Sequence, residues 1–330
     1  MDSKMEKAQT LVQEAKGARA ELSQTAFVGI ATLSLLVIGG FLAPQSLSIP
    51  ALSTMLPFMA ILGVAAIGQH LVIQQRGFDI SVAGTISLSA VIVTNFAERG
   101  AGPTGIVLAV LLALGAGTAV GTINGLIVTL LRVPPLVTTI GVNALAIGAT
   151  VYISGGVPSA VPDALGALAL GRSFGVPNTF LVMLAIAAFV VFFERRTVIG
   201  RQFIAIGTSP SAARALGIRV TSYGWLTYAL AGLFFALAGV LLAGFVSVPT
   251  IMCGNEYMLS TVAAVVVGGN SLSGGRASIP ATIIGAFFLT YLGQLVLSVG
   301  FERSTQDVVK ATIIIIGVAL PEIVRRMRGN

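Results

Sequence analysis

Residues 194–224 read ERRTVIGRQFIAIGTSPSAARALGIRVTSYG, the longest interruption in an otherwise apolar sequence. Arg195, Arg196, Arg201, Arg214 and Arg219 stand there against a single acid, Glu194. A stretch this basic belongs in water, and between membrane spans a short loop rich in Lys and Arg marks the cytoplasmic side. Inside it, Ser209-Pro210 supplies an N-cap followed by a proline in the first turn. Ser211-Ala212-Ala213-Arg214-Ala215-Leu216 then favours helix, and Gly217 ends it as a C-cap. The stretch predicts a short helix on a cytoplasmic loop, and it orients everything else.

Composition supports a polytopic membrane protein. Of 330 residues, 55% are hydrophobic and 9% charged, with a mean hydropathy of +0.96, against roughly 25% charged in an ordinary soluble domain. The 39 glycines suit membrane helices that pack backbone to backbone. The net charge of +7 does not point to nucleic acid, because the basic residues fall in this loop and in the tail Arg325-Arg326-Met327-Arg328. Cys253 is alone and permits no internal disulfide, and His70 is the only imidazole. Residues 1–24 carry mixed charge and read as a cytoplasmic amphipathic segment rather than a cleavable signal.

Apolar stretches of spanning length recur at 26–43, 51–73, 80–97, 104–131, 135–153, 178–194, 223–247, 257–268, 280–300 and 307–321. The expected fold is all-α, with about ten transmembrane or re-entrant helices. Parity agrees with charge: with the N-terminus inside, the sixth span ends at Arg195-Arg196 inside and the tenth at the basic tail inside. Segment 257–268 is too short to cross as a straight helix and 307–321 is marginal, so eight crossings with two re-entrant segments stays open. The chain divides into a cytoplasmic segment 1–25, a membrane domain 26–321 and a cytoplasmic tail 322–330. The membrane domain carries an inner loop at 195–222 and an outer loop at 154–177. A loop as long as the outer one is expected to be a binding surface.

Two inner turns resemble each other. Gly77-Phe78-Asp79-Ile80-Ser81 lies over Gly269-Asn270-Ser271-Leu272-Ser273, an even number of spans apart, and Gly84 and Gly274-Gly275 extend the two. This points to a weak internal repeat in parallel orientation, two halves facing each other across a pathway. Charge inside the spans is nearly absent, whereas ion-coupled carriers need ionisable groups at depth. Asp79 is expected to cap the third helix rather than bind an ion. Asn124 and Asn143 are amides at depth; Asn143 either lines a pathway or bonds a neighbouring helix. No nucleophile stands in motif spacing with a base, no carboxylates pair, and GGNSLSGGR lacks the Lys-Ser/Thr of a nucleotide-binding loop, so no enzyme and no cofactor are expected.

At the level of motifs, Gly200-Arg201 and Ala205-Ile206-Gly207-Thr208-Ser209-Pro210-Ser211-Ala212-Ala213-Arg214-Ala215-Leu216-Gly217-Ile218 resemble the cytoplasmic coupling segment of permease subunits of bacterial ATP-binding-cassette importers for ribose, xylose, arabinose and related simple sugars. Ser211 stands where the broader importer motif has Glu. Gly77-Phe78-Asp79-Ile80-Ser81-Val82-Ala83-Gly84, Val133-Pro134-Pro135-Leu136-Val137-Thr138-Thr139-Ile140-Gly141, and Ala263 to Gly269 with Gly274-Gly275-Arg276 resemble three further family elements in the same order. Phe78, Ala83 and Val142-Asn143 depart from the family pattern. The resemblance implies a subunit of a bacterial inner membrane transporter that works as a homodimer or with a related permease. It further implies an ATPase subunit at the cytoplasmic face, driven through Gly207, Ser209, Pro210, Ser211, Ala212, Ala213, Arg214 and Gly217. A periplasmic or lipid-anchored solute-binding protein would dock outside, the cargo would be sugar-like, and both termini would be cytoplasmic. Branched-chain amino-acid importer permeases are more distant relatives with similar turns, and an ion-coupled carrier is the remaining alternative.

Overall fold

The computed structural model describes residues 25–97, 102–275, 277–302, 304–313 and 315. The amphipathic segment expected at 1–24, the basic tail and most of the last expected span after residue 313 lie outside the described residues. Helices α1 (Thr25–Leu42), α2 (Ile49–Gln74), α4 (Pro103–Leu130), α5 (Pro135–Ser154), α7 (Asn178–Arg196), α10 (Val220–Val246) and α12 (Ile279–Ser298) are long and apolar enough to cross a membrane. Two apolar helices are shorter, α3 (Val82–Phe96) and α11 (Asn255–Val267). Residues 304–313 are helical and form α13. The first nine expected spans each correspond to a helix and the tenth is helical over its described residues, but α3 begins later than expected, at Val82, because residues 77–80 form no regular structure.

Helices α2 and α10 form the centre, with 67% of their apolar windows buried, against 22% for α1 and α4 at the periphery. The periphery presents large apolar side chains outward, Phe27, Phe41, Leu145 and Phe189 among them. This is the reverse of a water-soluble surface and fits hydrocarbon as the solvent. Without a hydrophobic force between helices in lipid, close packing must hold them together. On α4, Gly117, Gly121 and Gly125 recur every fourth residue and lie against Gly232, Tyr228 and Trp225 of α10. A Cβ at Gly125 would stand 2.6 Å from the Trp225 carbonyl oxygen, and one at Gly117 would stand 2.7 Å from that of Gly232. The same close approach joins α10 to α3 at Gly239 and α11 to α12 at Gly268 and Gly285.

Three connections meet at one end of the bundle: the turn after α2, the basic stretch after α7, and the glycine-rich turn after α11. The basic stretch holds two helices, α8 (Val198–Thr208) and α9 (Pro210–Ala215); only the second is expected from sequence. At the opposite end the long loop is built as α6 (Asp163–Leu170) and a small antiparallel hairpin, β1 (Arg172–Ser173) with β2 (Val176–Pro177). Its tip, Phe174-Gly175, has φ of +56° and +79°, the left-handed pair of a tight hairpin turn, and Phe174 is 100% exposed.

Candidate functional site

The site grows from three helix ends at the basic end of the bundle. Helix α9 is bounded as its sequence dictates: the Ser209 side chain accepts from the Ala212 N–H at 3.3 Å, and Pro210 sits in the first turn. At its far end Gly217 has φ +79°, the Ile218 N–H reaches the Ala213 carbonyl at 3.0 Å, and the Gly217 N–H reaches that of Arg214 at 3.0 Å. That pair of bonds is the Schellman arrangement. Only Ala213 of α9 is buried, while Ser211, Ala212, Arg214 and Ala215 are exposed and Leu216 is 79% exposed. The helix offers a small apolar face with one cation, held away from the bundle.

Helix α8 carries α9. Thr197 caps it, accepting from the Gly200 N–H at 2.9 Å, while its hydroxyl donates to the Phe193 carbonyl at 2.7 Å. Phe203 and Ile206 are buried, and Gly207 lies so close to the Gln74 carbonyl that no side chain fits.

The end of α2 grips α8. The Gly77 N–H bonds the Val72 carbonyl at 2.9 Å and the Arg76 N–H that of Ile73 at 2.8 Å, again a Schellman pair. Here the left-handed position is Arg76, φ +64°, a conformation that costs a non-glycine residue about 1–2 kcal/mol. Its side chain explains the choice. Arg76 Nε donates to the Gly207 carbonyl at 3.0 Å and Nη2 to the Thr208 carbonyl at 2.7 Å. A guanidinium thus satisfies the last carbonyls of α8 at the negative end of its dipole. Gln75 Nε2 adds a bond of 2.7 Å to the Phe203 carbonyl.

The turn after α11 closes the joint. The Gly275 N–H donates to the Gln74 carbonyl at 3.1 Å, and Gly274, φ +77°, lies against Arg76. Helix α11 ends as α2 does: the Asn270 N–H bonds the Val265 carbonyl at 3.2 Å, the Gly269 N–H that of Val266 at 2.7 Å, and Gly269 has φ +80°. The structural register therefore sets Arg76 over Gly269, one residue from the match suggested by sequence. Asn270 then locks the turn, with Oδ1 accepting from the Ser278 N–H at 2.6 Å and Nδ2 donating to Thr282 Oγ1 at 2.9 Å. Ser271 and Ser273 stay exposed.

Asp79, Ser81, Gly84, Asn124 and Asn143 assemble at the buried start of α3. Asp79 Oδ1 accepts from the Ser81 N–H at 2.8 Å and the Ser81 hydroxyl at 2.6 Å, and Asn124 Nδ2 donates to Ser81 Oγ at 2.8 Å. From α5, Thr139 Oγ1 accepts from the Ile80 N–H at 3.2 Å and Asn143 Oδ1 from the Gly84 N–H at 2.8 Å. Side chains of the turn and of α5 satisfy donors that a helix start inside a protein would otherwise leave orphaned. Asn124 is fully buried and Asn143 half-buried.

Gln75 and Arg76 precede the turn that the sequence motif marks, and no motif announces their role. The one available signal is an arginine immediately before a glycine at the end of a span. Among the described residues, no three His, Cys, Asp or Glu side chains gather as metal ligands. The arrangement is a mechanical joint: the projecting α9 is carried on α8, which is bonded to the end of α2, and the turn after α11 bonds that same end.

Comparison with known proteins gives this joint its setting. Residues 51–318 match the family described as branched-chain amino acid transport system, permease component. The chain belongs to this permease family. It is 32% identical over 294 residues to the ribose import permease protein of Escherichia coli (strain K12), covering 88% of this chain and 91% of the relative. To the ribose import permease protein of Bacillus subtilis (strain 168) it is 34% identical over 291 residues, 87% and 89% of the two chains. To the galactose/methyl galactoside import permease protein of E. coli (strain K12) it is 32% identical over 311 residues, 88% and 92% of the two. No solved structure matches the chain. The permease is a multi-pass membrane protein.

Proposed function

We propose that the permease is the membrane subunit of an ATP-driven importer for a monosaccharide or related polyol, with ATP hydrolysed by a separate subunit docked on α9. The observation that carries this is the exposed α9, carried on α8, whose carbonyls are bonded by Arg76 and Gln75 to the end of α2, where Gly275 also bonds. Closure of an ATPase pair would push α9, and the joint would pass the push to α2 and to the α11–α12 turn. The two halves then rock between outward and inward access. The names of the relatives favour a sugar over a branched-chain amino acid, although the family description spans both.

The basic end is the cytoplasmic one on this reading, and both termini lie there. A solute-binding protein docks at the opposite end, where α6 and the hairpin with Phe174 project. A second copy of the chain completes the transporter. Asn143 faces the pathway through its amide NH2, which has no partner among the described residues, while its oxygen holds α3.

The test is a cross-link. Leu216→Cys in a Cys253→Ser background should be joined by a short bismaleimide to a cysteine scanned across the permease-facing groove of the ATPase. Leu145→Cys, on the lipid side, should not. A transport-active complex in which no groove position links to residue 216 would refute the docking.

A further inference from the structure

Helices α2, α11, α12 and α13 line a half-open cavity of about 460 Å³ in the half of the bundle away from the basic end. Its volume falls in the range of small-molecule sites, roughly 300–1,000 Å³. Polar side chains are scarce in this chain, yet Glu256, Ser260, Thr290, Gln294, Gln306 and Lys310 converge here from three helices. An amide facing hydrocarbon costs free energy unless it meets a polar partner or water, so Gln294 and Gln306 make hydrocarbon a poor occupant for this space.

The chemistry of the lining is specific. The Ser260 hydroxyl donates to the Glu256 carbonyl at 2.7 Å and that of Thr290 to the Ala286 carbonyl at 2.8 Å, so each oxygen keeps lone pairs for an incoming donor. Gln294 and Gln306 offer both donors and acceptors, as a hydroxyl ligand demands. Phe58 and Tyr257 supply flat apolar faces. Gly293 makes the room: a side chain there would occupy the position of the Gln306 amide. Glu256 and Lys310 carry opposite charges, so the lining favours a neutral solute over an ion.

We propose that this cavity is a binding site, within the permease itself, for a neutral hydroxyl-rich solute of monosaccharide size received from the outer face. The proposal rests on the importer reading above and adds to it a place where cargo pauses inside the membrane.

The experiment uses the full transporter in proteoliposomes, with Ser260→Cys and Thr290→Cys each in a Cys253→Ser background; two positions guard against one variant failing to assemble. A water-soluble methanethiosulfonate reagent is applied from the binding-protein side, with D-ribose, D-galactose or D-fructose as protectant. ATP-driven uptake of the same sugars is measured in parallel. Both cysteines should react, and the transported sugar should protect them. Gln294→Leu, which removes one hydrogen-bonding amide, should raise the half-protecting concentration about tenfold. Absence of modification overturns the proposal, the space then being closed by lipid or a second copy. Modification without protection, in a complex that still takes up the sugar, overturns the site and leaves the importer reading intact. Failure to take up any of the sugars with ATP overturns the importer reading and the sugar ligand with it.

Discussion

Arg76 offers the sharpest perturbation of the joint. It holds a left-handed backbone, which costs about 1–2 kcal/mol for a residue with a side chain. Its guanidinium makes two bonds to carbonyls of α8, each worth about 1 kcal/mol once partial exposure is allowed for. Arg76→Ala keeps the strain and loses both bonds, a net loss of about 2 kcal/mol. Arg76→Gly loses the same bonds but relieves about 1 kcal/mol of strain. Arg76→Lys keeps the positive charge at the end of α8 and at most one of the bonds. Thermal unfolding of the purified permease should therefore rank wild type above Gly and Lys, and those above Ala. Coupling should rank differently, because at position 76 the side chain, and not the backbone strain, links α8 to α2. Transport per ATP hydrolysed, measured in proteoliposomes, should fall in Ala and Gly alike and partly recover in Lys. A glycine variant with wild-type transport per ATP would refute the reasoning, since the bonds would then be structural ornament to a joint that works without them.

Asp79 should behave as a cap. Asp79→Asn keeps an oxygen for the Ser81 N–H and should retain much of the transport, whereas Asp79→Ala should lose about 1 kcal/mol of local helix stability and more transport at equal membrane abundance. Equal and complete loss in both variants would mark a titrating site instead. Asn143→Cys in the Cys253→Ser background should react with a small water-soluble thiol reagent in at least one nucleotide state. Silence in every state would leave residue 143 with its helix-bonding role alone.

Much of the architecture was legible because membrane spans announce themselves by length and hydropathy alone, and the first nine expected spans each correspond to a helix. The boundaries of α9 were legible because its caps are local: Ser209, Pro210 and Gly217 each act within a few residues. Helix α8 was harder. Its buried face, Phe203 and Ile206, makes sense only against the bundle, and the arginines around it read as loop. The Arg76 clasp was illegible for two physical reasons. Its partners are more than a hundred residues away in sequence, and glycine, present next door at Gly77, is the residue expected in a left-handed cap. Helix α6 and the outer hairpin were hidden by being shorter than any periodic signal.

The central claim is that this chain moves its cargo with energy borrowed from a partner ATPase. Uptake of radiolabelled ribose or galactose into proteoliposomes holding the permease, its ATPase and its solute-binding protein tests it most directly. Uptake should require ATP inside together with the binding protein outside, and should be indifferent to imposed proton or sodium gradients. Uptake that follows either gradient in vesicles without ATP would contradict the account.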